Sequence, residues 1–386
     1  MSEVAFTKLT DMPAPAAPAG ERLRVGGWRA WGDESALMRA DELAARLSTP
    51  NPFYESWFLR PALRQFDPGG RVMLARMECT GRVDGLVPLV RTMRYGRRPI
   101  PHLATWLHAN CFLGAPLVSA GSEQTFWRTL FGWADSHAGA ALFLHLAAMP
   151  LEGALAEALV EVGREQGRRV ALVHREERAM LASTLDAEAY LAQALPGKKR
   201  KELRRQHARL GEQGVLAVVR REDAAGLGSW IERFLMLEAQ GWKGRAGSAL
   251  ACAPQTAALF REALTDAGQR GRLQRLSLEL NGEPIAMLAN LIGLPGAFSF
   301  KTAFDERYAR FSPGVLLQLE NLALLGQPEI AWCDSCAAAD HPMIDSLWTE
   351  RRAIGRFSVA IGGKARRAVF DRLVSLELAR NPTGIA

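Results

Sequence analysis

No run of about 18 apolar residues occurs in this chain, so no segment has the length and polarity of a membrane-spanning helix. The amino-terminal stretch also lacks a charged segment leading into an apolar core, and the expectation is a cytoplasmic protein with no membrane span. Cysteine is sparse. Cys79, Cys111, Cys252, Cys333 and Cys336 are five in number and mostly scattered, which argues against a disulfide framework and for a reducing compartment. Cys333 and Cys336 form a lone C-x-x-C, but no second pair and no well-spaced histidine completes it, so no metal is expected. A large excess of one charge is missing too. Against 41 Asp and Glu stand 48 Lys and Arg, for a formal charge of +7, a mild bias that suits an anionic partner without by itself implying nucleic acid.

What is present is a chain of 386 residues with 48% hydrophobic content, enough to bury a sizeable core. At roughly 100 to 200 residues per domain it has room for two. Residues 1–20, ending in MPAPAAPAG, read as a disordered Pro/Ala-rich tail. Two α/β domains are expected after it, 21–180 and 181–386, meeting near 175–190.

Hydrophobic periodicity sets the elements of the first half. A strand at Leu23 to Trp28 is followed by a helix from Asp33 to Leu47 and, after Asn51-Pro52-Phe53, a helix from Tyr54 to Phe66. A hairpin turns at Thr80-Gly81, and a further strand is expected near Asn110 to Leu117. Helix, strand, helix and strand complete this half by His174. The second half repeats the order: a basic helix from Lys198 to Glu212, a strand, two helices, and three strands ending at Ala297 to Phe304. A helix opening at Gly314 and a strand from Pro328 to Cys333, ending at Asp334, come next. A strand at Phe357 to Ile361 finishes the half before a closing helix from Lys364 to Arg380. Each half reads as a mixed-sheet α/β layer structure.

The chemistry gathers between Phe298 and Leu325. Ser312 is a plausible N-cap, Pro313 fits the first turn of the helix, and the unpaired N–H groups there form a ready anion site. Gly314, without a Cβ, would let a diphosphate approach the backbone. Because ligands lie at the carboxyl ends of parallel strands, Lys301, Asp305, Glu306 and Asp334 should converge on one crevice. Lys301 there either binds a phosphate or carboxylate or pairs with Asp334. Gln240-Gly241-Trp242-Lys243-Gly244-Arg245 reads equally as a recognition loop for a sugar or nucleotide and as a helix C-cap with Trp242 packed beneath it. The run Lys198, Lys199, Arg200, Lys201, Arg204, Arg205, Arg209 is a solvated helix face or a phosphate rail.

The element order β-αα-βββ-α-β-α-β resembles that of the GNAT acyltransferases. Several strings are similar to the tandem-GNAT, CelD-type family of cellulose and exopolysaccharide biosynthesis, which is related to the Fem-type aminoacyltransferases. They are Asn51-Pro52-Phe53 with Trp57, Leu237-Glu238 leading to Trp242-Lys243-Gly244-Arg245, Lys301 with Phe304-Asp305-Glu306, Ser312-Pro313-Gly314, and Asp334 with Trp348-Glu350-Arg351. The resemblance implies tandem GNAT-like domains and transfer of an acyl group from acyl-CoA, such as acetyl-CoA, to an amine of a small molecule or saccharide precursor. No metal is implied. On that basis Asp334, Asp305, Glu238 and Glu306 are candidate proton acceptors, and Ser312, Gly314, Val315 and Arg310 the donor-binding set. Lys301, Trp242, Lys243 and Arg204 are the substrate-binding set, and a backbone N–H near Thr302 is the oxyanion donor. The usual phosphate signature is altered: Arg310-Phe311-Ser312-Pro313-Gly314-Val315 is one residue longer before its glycine and lacks the second small residue. Aminoacyl-tRNA as donor, and a catalytically silent binding protein of exopolysaccharide synthesis, are the alternative readings.

Overall fold

Thirteen strands form one mixed sheet in the computed structural model, which describes residues 21–31 and 41–380. The expected tail and most of the helix from Asp33 lie outside the described residues. In chain order the strands are β1 (Glu21–Gly27), β2 (Met73–Cys79), β3 (Arg82–Thr92), β4 (His102–Thr105), β5 (Leu117–Val118), β6 (Phe143–Pro150), β7 (Val170–Leu181), β8 (Leu216–Arg221), β9 (Leu273–Leu280), β10 (Glu283–Gly293), β11 (Gly296–Phe304), β12 (Trp332–Asp334) and β13 (Glu350–Ala360). The principal helices are α1 (Ser56–Phe66), α2 (Glu123–His137), α3 (Ala154–Glu165), α4 (Ala187–Ala194), α5 (Gly197–Gly211), α6 (Leu227–Gln240), α7 (Trp242–Arg245), α8 (Pro254–Gln269), α9 (Pro313–Asn321) and α10 (Lys364–Arg380). The hairpins β2–β3 and β9–β10 turn where both central residues are left-handed, Thr80-Gly81 at φ 49° and 83° and Asn281-Gly282 at φ 54° and 82°. That is the two-residue turn whose twist matches its strands.

Across the sheet the order is β1-β2-β3-β4-β6-β13-β7-β12-β11-β10-β9-β8, with β5 paired to β3. Two features differ from the sequence reading. The strand expected to finish the second half lies in the first: β13 inserts between β6 and β7, pairing Glu350↔Met180 through Val359↔Val170 on one edge and Ile354↔Pro150 through Ala360↔Phe143 on the other. The sheet then continues from β7 to β12 through Leu181↔Cys333 and Met180↔Asp334, so one sheet crosses the place where two layers were expected to meet. Local periodicity identifies a strand but not its neighbour.

Residues Asn110 to Ala115, expected to be a strand, are irregular. Side chains satisfy their carbonyls instead of a ladder: Asn51 Nδ2 donates to Leu113 O and Ala115 O at 3.2 and 2.7 Å, and Arg178 Nη1 donates to Phe112 O at 2.8 Å. The main core also crosses between the halves. Phe53 meets Phe298 and Phe300 at ring separations of 5.7 and 6.0 Å, and α1 packs on α8.

Asp334, wholly buried, closes the junction of β7, β12 and β13. Its Oδ2 accepts from Arg178 Nη2 at 2.6 Å and Arg352 Nη1 at 2.8 Å, and its Oδ1 accepts from the Cys336 N–H at 2.9 Å. Burial by itself would raise its pKa, but the two guanidiniums outweigh it and hold the carboxyl below its usual value. Asp334→Asn leaves two buried cations short of a counter-charge and should destabilise the fold by about 3–5 kcal/mol in urea titrations. Because the folded pKa is the lower one, this stability is complete above the unfolded value near 4 and lost as pH falls through the folded value. The Asn variant should lack that step in an acid titration of stability.

Candidate active site

The site starts from an irregularity in β11. Ala289 pairs with Lys301 and Asn290 with Ser299, so Phe300 is an extra residue, a β-bulge. Ser299 and Thr302, an odd number of residues apart, would face opposite sides of a regular strand. Here both side chains meet Gln318 of α9, whose Nε2 lies 3.3 Å from Ser299 Oγ and 3.4 Å from Thr302 Oγ1. On the other edge β12 runs parallel to β11 only from Gly296↔Trp332 to Phe298↔Asp334. Cys336, at φ 53° and tied to Asp334, then turns the chain away. The two strands part, and a cavity of about 580 Å³ opens in the gap.

Lys301, Thr302, Ser312, Gly314, Trp242 and Lys243 line this cavity, together with Phe112 from the first half and His341 from the loop after β12. Thr302 turns its carbonyl to the open edge, where Lys243 Nζ donates to it at 3.1 Å. A strand residue's N–H and C=O point to the same side, so the Thr302 N–H faces the gap as well. Lys301 has no hydrogen-bond or ion-pair partner among the described residues; its Nζ lies 5.1 and 5.4 Å from the ring centroids of Phe112 and Phe300. Burial, helped by the nearby Lys243 ammonium and opposed by Glu238, brings its pKa down to about 8. It does not pair with Asp334.

The expected convergence of carboxylates is absent. Asp334 sits level with Phe298, seven residues before Asp305 along the strand direction, or roughly 20 Å at about 3.3 Å per residue. It belongs to the β7–β12–β13 junction, not to the cavity wall. Asp305 caps the short 3₁₀ turn after β11 and is held by Arg307, whose Nη2 donates to Oδ2 at 2.6 Å. Burial would raise its pKa, but those bonds bring it below the ordinary carboxylate range. Glu238 is buried behind the wall: Oε1 accepts from Lys243 Nζ at 2.9 Å and Oε2 from the Leu250 N–H at 2.7 Å, so it positions Lys243. Glu306 binds the Trp242 N–H at 2.6 Å and Arg245 Nη2 at 2.6 Å. This fixes Trp242, which is 54% exposed and lines the cavity instead of packing beneath a cap.

The helix start is also altered. Ser312 stands at the cap position of α9 in left-handed conformation and its side chain makes no cap bond. Its carbonyl accepts from both Val315 N and Leu316 N, at 2.9 and 3.0 Å, and Pro313 has no N–H. Only the Gly314 N–H of the first turn stays free among the described residues, so α9 does not form a diphosphate cradle. A Cβ on Gly314 would meet the Phe304 ring at 3.2 Å, so the missing side chain admits Phe304. Arg310 stacks on Phe311 at 4.6 Å and Arg204 is exposed on α5; neither lines the cavity. Among the described residues no group of three His, Cys, Asp or Glu could hold a metal, and no helix is long and apolar enough to cross a membrane.

His341 escaped the sequence reading. It lies in a loop without periodicity or motif, yet it lines the cavity and its imidazole makes no hydrogen bond among the described residues.

The bulged strand β11, which parts from its parallel neighbour β12, lies inside the sheet of this mixed α/β fold. Residues 197–341 match the family model described as an acetyltransferase (GNAT) domain. Among solved structures, FemX superposes with a TM-score of 0.52 at 10% identity, covering 83% of this chain and 95% of that one. A conserved protein from Bacteroides thetaiotaomicron gives 0.53 at 12%, covering 84% and 97%. The C-terminal domain assigned to a lysylphosphatidylglycerol synthetase of Agrobacterium fabrum gives 0.52 at 12%, covering 88% and 95%. No curated protein matches the sequence.

An ammonium held in low-dielectric surroundings costs stability until it deprotonates. Lys301→Met should therefore raise stability at pH 7 by on the order of 1–3 kcal/mol, measured by urea unfolding. The folded pKa is the lower one, so the wild type recovers stability as pH rises from about 8 toward the ordinary lysine value, and the gap should narrow by pH 10.

Proposed function

We propose that the protein is an N-acyltransferase whose site is the gap between β11 and β12. The observation that carries this reading is the open edge at Thr302: its N–H points into a cavity of about 580 Å³ where the carbonyl oxygen of an acyl donor can lie. An amine held beside it attacks the carbonyl carbon, and the developing oxyanion accepts a hydrogen bond from the Thr302 N–H; the C–N bond forms, the C–S or C–O bond to the donor breaks, and the proton given up by the amine passes through the acceptor to the leaving thiolate or alkoxide. Direct transfer needs no covalent intermediate on the protein; it needs positioning and a group to take the amine's proton. His341 is the proton acceptor on this reading, since Asp334, Asp305 and Glu238 are all engaged in ion pairs. Lys301 and Lys243 supply positive charge toward a phosphate or carboxylate of the substrates, and Trp242 a face for a sugar or nucleotide ring. The resemblance to the CelD-type family supports an amine borne by a small molecule or saccharide precursor. We read the chain as two tandem units, 21–180 and 181–386, that share β13.

Acyl-CoA is the first donor to test. A second donor, an aminoacyl ester of tRNA, is favoured by one observation: α9 offers a single free N–H in its first turn, while the exposed cations of α5 offer a phosphate track. Thiol release from acetyl-CoA with a panel of amino sugars and amino acids should be measurable for the wild type. His341→Gln should lower kcat about a hundredfold with donor affinity nearly unchanged. Full activity in that variant removes His341 from the chemistry. Failure of both acetyl-CoA and aminoacyl-tRNA to react or to shift the melting temperature favours a silent binding protein.

A further inference from the structure

A second cavity, of about 410 Å³, shares no lining residue with the first. It lies where α10 covers the first half of the sheet, between the loop at 95–100, strands β6 and β13, and the carboxyl-terminal part of the helix. Four arginines surround it: Arg97, Arg98, Arg356 and Arg380. None makes an ion pair or a side-chain hydrogen bond among the described residues, in a protein where many other guanidiniums are paired. The one carboxylate among the lining residues, Glu377, is engaged by the Tyr95 hydroxyl at 2.7 Å, a contact that ties the loop to α10 across the cavity.

The floor is polar as well. His145 is 8% exposed, its Nδ1 lies 3.1 Å from Ser358 Oγ, and its Nε2 has no partner among the described residues. Burial, with His102 and Arg356 nearby, brings the imidazole pKa down to about 3, so the ring is neutral at physiological pH. The Ser358 hydroxyl can donate or accept, which leaves Nε2 free to present an N–H to a ligand oxygen. Ile100, Phe370 and Leu373 supply an apolar wall.

Four cations and one engaged carboxylate, Glu377, around a half-open cavity leave a net positive charge that a polyanion would offset better than a single negative charge. A solvated rim would not need a buried histidine with a vacant nitrogen beneath it. We infer that this cavity binds a small polyanion, with phosphate or clustered carboxylate groups for the guanidiniums and His145, and an apolar part for Ile100, Phe370 and Leu373. The volume is in the range of small-ligand sites, of roughly 300 to 1,000 Å³. Guanidinium forks match either kind of oxyanion two bonds at a time.

Calorimetric titration of the full chain with inorganic pyrophosphate and, separately, citrate tests the inference and tells the two anion classes apart. At least one probe should bind the wild type, more weakly as salt rises. Arg98→Ala and Arg356→Ala should each weaken it about tenfold, as expected for loss of a charge-assisted contact. His145→Gln should weaken it by less, and Lys301→Met, in the other cavity, should leave it unchanged. Both arginines are exposed, so the variants should fold, which circular dichroism checks. Absence of binding by both probes, or binding by the two arginine variants as tight as that of the wild type, overturns the inference. Loss of binding in Lys301→Met overturns it too, by assigning the anion to the acyl-transfer cavity. None of these outcomes depends on acyl transfer being observed.

Discussion

The carboxylate of Asp334 is the constraint on which this architecture turns. A buried charge is tolerated only when paired and hydrogen-bonded. Its partners come from three separated parts of the chain: Arg178 on β7, Arg352 on β13 and the N–H of Cys336 beyond β12. Satisfying one side chain therefore fixes where the carboxyl-terminal strand inserts, where the second half joins the first, and where β12 stops. Arg178 carries the constraint further through Phe112 O, and Arg352 stacks on Trp332 at 4.4 Å. Breaking this junction would loosen both halves, because neither completes its sheet alone.

The cavity between β11 and β12 follows from that stop. The Cys336 turn directs the chain out of the sheet just as the Phe300 bulge re-phases β11, so the gap is made by two local irregularities on adjacent strands. A chain of buried amides holds the bulge from the α9 side, running from Gln274 through Asn290 and Asn321 to Gln318 and on to Ser299 and Thr302. Phe53, anchored behind Asn51, packs against Phe298 and Phe300 from the other side. The first half thus serves as one wall of the second half's cavity. Lys301 lies where these supports meet, an ammonium with aromatic neighbours and no counter-ion among the described residues.

Much of this was legible in the chain as written. Apolar spacing located most strands and helices because each has one face in a core, and Thr80-Gly81 and Asn281-Gly282 encode their turns in two residues. Lys301, Trp242, Lys243, Ser312, Gly314 and Val315 were singled out and do line one cavity, because they cluster on β11, α7 and the start of α9. The roles of the acidic residues were not legible. Whether a carboxylate is free depends on which arginine folding brings to it, and Arg178 lies 156 residues from Asp334. His341 lacked any local signal, and β13 found its place by pairing with strands 170 or more positions earlier. The sequence by itself determined the elements, their order and the stretch that carries the cavity, since these depend on local periodicity and turn chemistry. Only the tertiary structure decided which charges are neutralised, where β12 ends and which ring nitrogen is left without a partner, because those follow from long-range pairing in surroundings that exclude water.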